Sequence, residues 1–445
     1  MSRWIVVRRP ELLDPGTVRV RIEASQELAR YLRTPVFQAA YEHPVDDVPP
    51  SILVVPAIAD VAPVCWATGS DLHLACVDAT FLRALDELRA KIAEFYPSLP
   101  CTTRVLAEAV EVNRIAGNGL GLLFSGGVDS TASLVRHRAE TPELVMIHGA
   151  DIPIRNERLW SRAVEANRRF ATAEGLVLHT VRSNFREVLN AGALDAEFSQ
   201  ALLGRSWWAG IQHGLALLGL LAPLSAVRRW GRLLIAATHH QSVPRPHGSH
   251  PELDSRVRWA EVNVVHDSND LSRYEKIQKV LKPYFDPKPG KPALRVCLAE
   301  DPGPFLNCGR CEKCVRTIVA LLLAGMDPRA YGFPYHLNAL RRARDRLLQG
   351  RYKITVGHLP HWQNLQRQVP ESPPYPEPAD FFAWLRRADF SEIQRISERR
   401  RKAEREALRR SSISKFVFAS KALARRTLRT LQGAVLQLLS PDQRP

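Results

Sequence analysis

Between Val105 and Gly332, short apolar segments alternate with longer helical patterns, and this alternation limits the possible folds more than any other feature. The segments predicted as strands are Leu120–Phe124, Leu144–His148, Val177–Val181 and Leu233–Thr238. The segments predicted as helices are Ser130–Arg138, Asn156–Glu174 and Trp207–Leu221. Alternation of this kind is typical of a parallel sheet with helices on both faces. The sequence therefore predicts an α/β domain over residues 106–332.

The flanking regions have different patterns. Residues 1–105 are predicted to form a small N-terminal α+β domain, in which Phe81–Phe95 has helical spacing. Its predicted strands are Trp4–Val7, Val18–Ile22, Ile52–Val55 and Leu72–Cys76. Residues 333–390 are predicted to be a helical and Pro-rich connector, with helices at Asn338–Leu348 and Phe381–Arg387 and a linker at Val369–Pro378. Residues 391–445 are predicted to be a basic helical tail.

Positive charge is concentrated at the C-terminal end. The whole chain carries a formal charge of +16, and residues 341–445 contain 23 Lys and Arg against 10 Asp and Glu. A near-neutral core with a basic appendage is indicated, and the tail could bind an anionic partner such as nucleic acid, lipid or an acidic protein. A terminal helix that packs on the chain's own core is the alternative. In either case a chain that ends near Pro370 is expected to keep its metal and nucleotide sites.

The chain has no apolar run of the roughly 20 residues that a membrane-spanning helix needs. The longest candidate, Leu215–Leu224, is interrupted at Pro223, and the N-terminus lacks an apolar signal core. The expectation is a cytoplasmic protein with no transmembrane segment.

A glycine-rich loop connects the first predicted strand of the α/β region to its helix. Ser125–Ser130 reads Ser-Gly-Gly-Val-Asp-Ser, and its glycines allow the backbone to turn tightly and approach an anion. The N–H groups of the turn and the partial positive charge of the helix N-terminus favour phosphate. No lysine closes the loop, so it is not the Gly-Lys-Ser/Thr loop. The sequence predicts a phosphate site; a glycine-rich turn without a ligand is the alternative.

Side chains of this loop add donors and one carboxylate. Ser125, Ser130 and Thr131 supply hydroxyl groups, and Asp129 is predicted to orient the loop or to help hold Mg²⁺. The residues predicted to contact the nucleotide phosphates are Ser125, Gly126, Gly127, Val128, Asp129, Ser130 and Thr131.

Four of the seven cysteines are clustered: Cys297, Cys308, Cys311 and Cys314. Four thiolates at short spacing suit a closed tetrahedral Zn²⁺ site, and Gly309 permits the tight turn. Arg310, Lys313 and Arg316 would offset the negative charge of a zinc–thiolate centre. An iron–sulfur cluster is the competing interpretation, because thiolates alone also hold such clusters.

Together the loop and the cysteine cluster resemble a known family. Ser125–Ser130 is similar to the signature loop of the N-type ATP pyrophosphatases, the PP-loop or adenine nucleotide alpha hydrolase-like superfamily. Adding Cys308-Gly309-x-Cys311-x-x-Cys314 makes the chain resemble the 7-cyano-7-deazaguanine synthase branch over about residues 115–330. The resemblance implies a Rossmann-like PP-loop domain that binds ATP and Mg²⁺. Its loop grips the pyrophosphate part of ATP while a substrate oxygen attacks the α-phosphorus.

The same resemblance implies a ligase-like reaction. An adenylated substrate, in this branch a carboxylate, is converted with ammonia or another nucleophile into an amide and then a nitrile. It also implies an adenosine pocket at the ends of the first two strands. The residues that it places there are Leu123, Phe124, His148, Gly149 and Asp151. Asp151 is predicted to bind ribose or Mg²⁺, with a helix-capping aspartate as the alternative.

A histidine-rich segment follows the fourth predicted strand, where ligands bind in open α/β sheets. Its candidate substrate-binding residues are His239, His240, His247, Ser249, His250 and Asp254. They could act as general bases, hold the small-molecule acceptor or bind a second metal. A polar loop whose histidines bond to one another is the alternative.

Arg273 and Lys276 lie three residues apart on a predicted helix and could neutralise phosphates together. They join Ser125, Asp129 and Ser130 as the predicted catalytic residues, and an exposed salt-bridged helix face is the alternative. Trp207 and Trp208 are expected in the core, with an aromatic shelf for a flat substrate as the alternative.

Two further functions remain open at this point. One is an RNA-modifying or sulfur-transferring enzyme of the same superfamily, although no cysteine lies between Cys101 and Cys297 to serve as its thiol. The other is a synthase-like component of a defence or biosynthetic assembly.

Overall fold

The computed structural model describes residues 3–115, 117–243, 245–336, 338–371 and 379–407. Most of the predicted Pro-rich linker (372–378) and most of the predicted basic tail (408–445) lie outside the described residues.

The strands fall into an N-terminal group and a central group. The first group is β1 (Trp4–Val7), β2 (Glu11–Asp14), β3 (Thr17–Ala24), β4 (Val36–Tyr41), β5 (Asp71–Leu74), β6 (Val77–Asp78), β7 (Val105–Ala107) and β8 (Val110–Glu111). The second is β9 (Gly119–Leu123), β10 (Glu143–His148), β11 (Leu178–Ser183), β12 (Trp230–Ala236), β13 (Arg258–Trp259) and β14 (Val262–Asp267).

The helices lie between and after these strands. Those up to β12 are α1 (Pro50–Leu53), α2 (Val55–Thr68), α3 (Ala79–Phe95), α4 (Val128–Arg136), α5 (Glu157–Ala173), α6 (Phe185–Val188), α7 (Ala191–Phe198), α8 (His213–Gly219) and α9 (Ala222–Arg228). Those after β12 are α10 (Pro251–Asp254), α11 (Arg273–Glu275), α12 (Lys282–Phe285), α13 (Glu312–Leu323), α14 (Asn338–Leu348), α15 (Leu359–Arg367) and α16 (Ala379–Arg387). Residues 390–407 are also helical. Two π-helical turns, Trp208–Gln212 and Lys276–Leu281, precede α8 and α12.

Within the described residues, one twelve-stranded sheet runs in the order β13-β14-β12-β9-β10-β11-β4-β3-β1-β5-β7, with β2 beside β3. The five strands from β14 to β11 in that order are parallel to one another. The predicted α/β class with a mostly parallel sheet is therefore confirmed. The N-terminal strands join the same sheet, because β4 pairs antiparallel with β11.

The strand order places a ligand crevice at the middle of the parallel part. From β9 the chain moves outward through β10 to β11, and it then returns to β12 on the other side of β9. In open α/β sheets ligands bind at the carboxyl ends of the strands where the order reverses. The loop that follows β9 therefore lies beside the expected binding crevice.

Local sequence explains the long helix after β10. The side chain of Asn156 accepts a hydrogen bond from the Leu159 N–H and so caps the start of α5. Gly175 ends it with φ of +65°, a conformation that favours glycine. The predicted helix and its glycine stop are confirmed.

The predicted strand at Ile52–Val55 is wrong, because this segment belongs to α1 and the start of α2. Pro50 and Pro56 lie in the first turns of these helices, where the fixed φ of proline suits a helix. α2 is buried along its whole length and packs against α8, so tertiary burial overrides the strand preference of the β-branched residues.

Two large apolar clusters and a smaller third one between β9, β10 and α5 divide the interior of the described residues. The first joins the N-terminal strands and α2 to β11, α8 and β12. The second surrounds α13 and includes Trp362, Phe381 and Phe390 from the C-terminal helices. The C-terminal helices up to residue 393 are therefore part of a core that α13 organises.

Among the described residues, one helical run, Trp208–Arg228, is long and apolar enough to cross a membrane by length and composition alone. Of its apolar window, 78% is buried inside the protein. Buried core helices pass the same test, so this run is weak evidence for a membrane span.

Candidate functional site

The phosphate loop lies where the sequence predicts it. β9 ends at Leu123 and α4 begins at Val128, two residues before the predicted helix start. Gly126 has φ of +69°, and an added Cβ would lie 2.4 Å from Oδ1 of Asn167. A side chain here would be strained by the positive φ and would have to displace Asn167, so the loop favours glycine at this position.

The start of α4 presents open backbone donors. Gly127 is the residue that precedes the helix, and no side chain caps its first turn. The N–H groups of such a turn have no carbonyl partner within the helix, so they can donate to an anion. Ser125 and Ser130 bring their hydroxyl oxygens within 3.4 Å of each other at the same place.

Arg273 and Lys276 converge on Asp129. The Arg273 guanidinium donates to one oxygen of Asp129, and the Lys276 Nζ lies 3.2 Å from the other. Both cations are buried, with 8% and 1% exposure. Burial alone would raise the pKa of Asp129, but these two positive charges outweigh it and hold the pKa at about 2. The alternative of an exposed helix face is therefore wrong for this pair.

A cleft of about 200 Å³ opens beside the loop. Its floor is formed by the ends of β9, β10 and β12, which is the crevice that the strand order indicates. Its polar lining residues are Ser125, Asp129, Ser130, Asp151, His213, Thr238, Arg273, Arg295 and Lys313. A wider surface groove of about 770 Å³ runs along α5, but its arginines Arg168 and Arg169 are already paired with Glu42 and Glu165.

Asp151 offers a free carboxylate to this cleft. The side chain makes no hydrogen bond and no ion pair with any residue that the structure describes. Burial opposes its ionisation, yet the charges of Lys313 and Arg295 lower its pKa. Because Asn156 caps α5, the helix-capping role considered for Asp151 is not its role.

The other residues predicted for the adenosine pocket divide into two groups. Leu123, Phe124 and Asp151 line the cleft. His148 is fully buried and does not line the cleft. The His148 ring stacks on Trp160 at 4.6 Å, and its Nε2 donates to the Pro153 carbonyl. Gly149 has φ of +105°, and an added Cβ would lie 2.0 Å from the Ser183 carbonyl oxygen. His148 and Gly149 thus shape the strand end behind the cleft.

The histidine-rich segment does not gather at one point. His239 and His247 pack ring against ring at 5.3 Å and extend a row from His213 to His361. Burial lowers the pKa of His239 to about 4 and that of His247 to about 2, so both are neutral near pH 7.

The remaining candidate substrate residues lie elsewhere. His240 bonds to the Ser242 hydroxyl and the Asp270 carbonyl, and His250 caps α10. Asp254 is fully buried, paired with His266 at 2.7 Å and bonded to the Ser249 hydroxyl. These residues are absent from the described lining of the cleft.

The two tryptophans have different roles. Trp207 is fully buried, as expected for the core. Trp208, at the start of a π-helical turn, lines the cleft. The Arg186 guanidinium lies 3.7 Å from the centre of the Trp208 ring. Trp208 is only partly buried, and the aromatic shelf for a flat substrate stays a prediction.

A candidate metal centre borders the cleft. The Sγ atoms of Cys297, Cys308, Cys311 and Cys314 all lie within 4.8 Å of one another, and two of the pairs are 4.0 Å apart. A tetrahedral zinc–thiolate site with bonds of about 2.3 Å places its sulfurs about 3.8 Å apart. These four residues could therefore hold a metal ion such as zinc, as the sequence predicts.

Backbone groups support this reading of the cluster. N–H groups of Ala299, Cys308, Cys311 and Cys314 point at the sulfurs of Cys297, Cys308 or Cys311 over 3.3–3.4 Å. Such bonds stabilise thiolates, the form that binds metal. Gly309 has φ of +65°, and the Pro334 carbonyl would lie 2.6 Å from an added Cβ, so the knuckle needs glycine.

Two cations of the site escaped the sequence prediction. Arg295 precedes the first cysteine by two residues, and Lys313 lies between the last two. The sequence predicts that Lys313 offsets the negative charge of the zinc–thiolate centre. In the structure the side chains of both Arg295 and Lys313 line the cleft. Burial and the neighbouring Arg273 lower the pKa of Lys313. The sequence signal for these two cations was their position inside the cysteine motif. A basic side chain between metal ligands can point away from the metal and toward a neighbouring site.

No protein-family model matches the chain, and no curated protein and no solved structure is significantly similar to it.

Proposed function

We propose that the chain binds ATP in the cleft and cleaves it between the α and β phosphates to adenylate a small-molecule substrate. The observation that carries this proposal is the position of the uncapped α4 N-terminus, which faces a cleft lined by three cations at the reversal point of a parallel sheet. A polyphosphate matches these cations, and the apolar floor formed by Leu123, Val145 and Ile152 suits an adenine ring. The resemblance to the N-type ATP pyrophosphatases supports the same reading.

Each residue has a defined task in this proposal. The open N–H groups of the loop hold phosphate oxygens, and Arg273, which lines the cleft, offsets the charge that develops on the departing pyrophosphate. Lys276 is buried and outside the described lining of the cleft, and it holds Asp129. Asp151 is the carboxylate available for Mg²⁺, because the oxygens of Asp129 are already engaged by two cations.

The reaction is a displacement at the α-phosphorus. An oxygen of the acceptor, which we propose to be a carboxylate, forms a bond to that phosphorus while the bond to the bridging oxygen of the β-phosphate breaks. The electron pair leaves with pyrophosphate. A nitrogen nucleophile such as ammonia then attacks the activated carbonyl carbon and forms a C–N bond while the C–O bond to the adenylate breaks. AMP leaves with the oxygen that came from the carboxylate, and the nitrogen loses one proton to solvent, which gives an amide as the precursor of a nitrile.

The test is product analysis. Protein is incubated with ATP, Mg²⁺ and a pool of small carboxylic acids, and the nucleotides are separated; AMP and pyrophosphate are expected in equal amounts. Ser125→Ala should reduce this activity at least tenfold, whereas Ser161→Ala, an exposed serine on α5, should leave it unchanged. ADP as the sole product would overturn the proposal, and so would equal activity in Ser125→Ala and the wild type.

A further inference from the structure

A second, smaller cavity lies between the phosphate loop and the cysteine cluster. Its volume is about 40 Å³, and its lining includes Gly127, Asp129, Arg273, Arg295, Cys297 and Lys313. It thus adjoins the cleft on one side and a ligand cysteine of the metal centre on the other.

Two arginines that line this cavity carry buried donors without partners among the described residues. Arg295 is 6% exposed, and its Nε has no hydrogen-bond partner among the described residues. Arg273 is 8% exposed, and its Nε and Nη1 likewise have none within the described parts of the chain. Leaving charged donors buried and unpaired is costly, so such groups call for an anion or an ordered water as a partner.

Lys313 adds a third positive charge. Its ammonium group forms no hydrogen bond and no ion pair with any described residue. The carboxylates on the same lining are those of Asp129, which pairs with both Arg273 and Lys276, and Asp151. Three cations thus share this lining with two carboxylates, so the cavity has a net positive charge of one.

We propose that Arg273, Arg295 and Lys313 form an anion niche that receives a pyrophosphate group, either as the terminal phosphates of a nucleotide or as free pyrophosphate. This inference rests on the proposed function, since it assigns the place where the leaving group is held. Two guanidinium groups and one ammonium suit a compact, multiply charged phosphate, because charge-assisted hydrogen bonds are the strongest in proteins.

The metal centre positions the niche. The Arg295 N–H donates to the Gly126 carbonyl over 2.7 Å, which joins the segment that enters the cysteine cluster to the phosphate loop. Lys313 lies in the first turn of α13, whose start is set by Cys311. A metal held by these cysteines would therefore affect nucleotide affinity as well as folding.

The competing explanation is that Arg295 and Lys313 only balance the negative charge of metal-bound thiolates. The experiment measures binding of inorganic pyrophosphate, α,β-methylene-ATP and AMP to the full chain by calorimetry. Lys313→Ala is compared with Lys313→Arg, which keeps the charge, and with Lys279→Ala, which removes an exposed lysine paired with Glu275. Metal content and melting temperature are recorded for each variant.

Lys313→Ala should weaken binding of pyrophosphate and α,β-methylene-ATP at least tenfold, with AMP binding and metal content unchanged. Lys313→Arg should recover most of the loss, and Lys279→Ala should match the wild type. Wild-type pyrophosphate affinity in Lys313→Ala would overturn the niche, as would wild-type protein that binds α,β-methylene-ATP but not pyrophosphate. In both cases the proposed function could still stand, whereas wild-type protein that binds none of the three would refute both proposals.

Discussion

Asp60 shows how a single buried carboxyl supports the cleft from a distance. It lies in the apolar helix α2 with no exposed surface, and Gln212 donates to its Oδ1 over 2.5 Å. Gln212 closes the π-helical turn that begins with Trp208, and His213 follows it. The N-terminal region thus holds the turn that presents Trp208 and His213 to the cleft.

The protonation of Asp60 has a consequence for stability. Burial raises the pKa of Asp60 to about 8, against a hydrogen bond from Gln212 that lowers it. In the unfolded chain an aspartate ionises near pH 4. Between these values the folded state holds a proton that the unfolded state has lost, so stability falls as pH rises from about 4 to about 8 and then levels off.

We therefore predict that Asp60→Asn gains stability relative to the wild type as pH increases. The difference between pH 5 and pH 8 should reach a few kcal/mol, since one pKa unit corresponds to about 1.4 kcal/mol. Chemical unfolding at both pH values measures it, with Asp47→Asn, an exposed acid, as the control. Identical pH slopes in the wild type and Asp60→Asn would contradict the prediction.

At the scale of elements, the cysteine cluster and α13 form one unit. Cys311 precedes α13, and its sulfur accepts a hydrogen bond from the Cys314 N–H, as a helix cap does. α13 is buried along most of its length and contacts α11 and α15. A metal that fixes the cysteines would thereby fix the elements carrying Arg273 and Lys313.

Metal removal should then affect both stability and the anion niche. A strong chelator, or Cys311→Ser, is expected to lower the melting temperature and to weaken pyrophosphate binding at least tenfold, because a structural metal contributes folding energy directly. Elemental analysis should find about one zinc per wild-type chain. Cys65→Ser is the control, since Cys65 is buried far along the chain from the cluster and its hydroxyl replacement can still bond to the Asp71 carbonyl. Metal-free protein with unchanged melting and binding would refute this role.

Elements with strong local signals were predictable from the sequence. The loop 125–130, the strands around it and α5 with its Asn156 cap and Gly175 stop all follow from local patterns. The helical state of Ile52–Val55 does not, because it depends on burial between distant elements. The same holds for Arg295 and Lys313, whose cleft-facing positions depend on how the cysteine cluster folds against the loop.

At the scale of the molecule, the sheet and the apolar core continue across the predicted domain boundaries. The sheet crosses from the N-terminal strands into the parallel strands at the β4–β11 pair. The C-terminal helices continue the core around α13, where Trp362 stacks on Phe390 at 5.3 Å and donates to Glu312. Long-range pairings of this kind have no local sequence signal, so the divisions at residues 105 and 332 stay predictions.

The C-terminal packing suggests where a separable tail begins. Phe381 and Leu385 in α16 have no exposed surface, and the Ser397 hydroxyl donates to the Tyr352 carbonyl over 2.7 Å. Residues 379–397 therefore complete the core that supports α15, so a separable tail begins later than the end near Pro370 that the sequence predicts. His361 of α15 stacks on His239. Residues 408–445 carry eight Lys and Arg against one acidic residue, so the basic charge continues beyond this core.

We predict that a chain ending at Ala407 keeps its metal and its affinity for pyrophosphate but loses salt-sensitive binding to an anionic polymer such as heparin, because the excess charge of residues 408–445 is gone. A chain ending at Glu371 should melt at least several degrees lower and bind pyrophosphate more weakly, since removal of α16 and the following helix exposes Trp362 and loosens α15. Melting curves, metal analysis and calorimetry on the three chain lengths provide the measurement. If the chain ending at Glu371 equalled the full chain in all three, the C-terminal helices would be dispensable for the site; if the chain ending at Ala407 lost its metal, residues 408–445 would be part of the folded core.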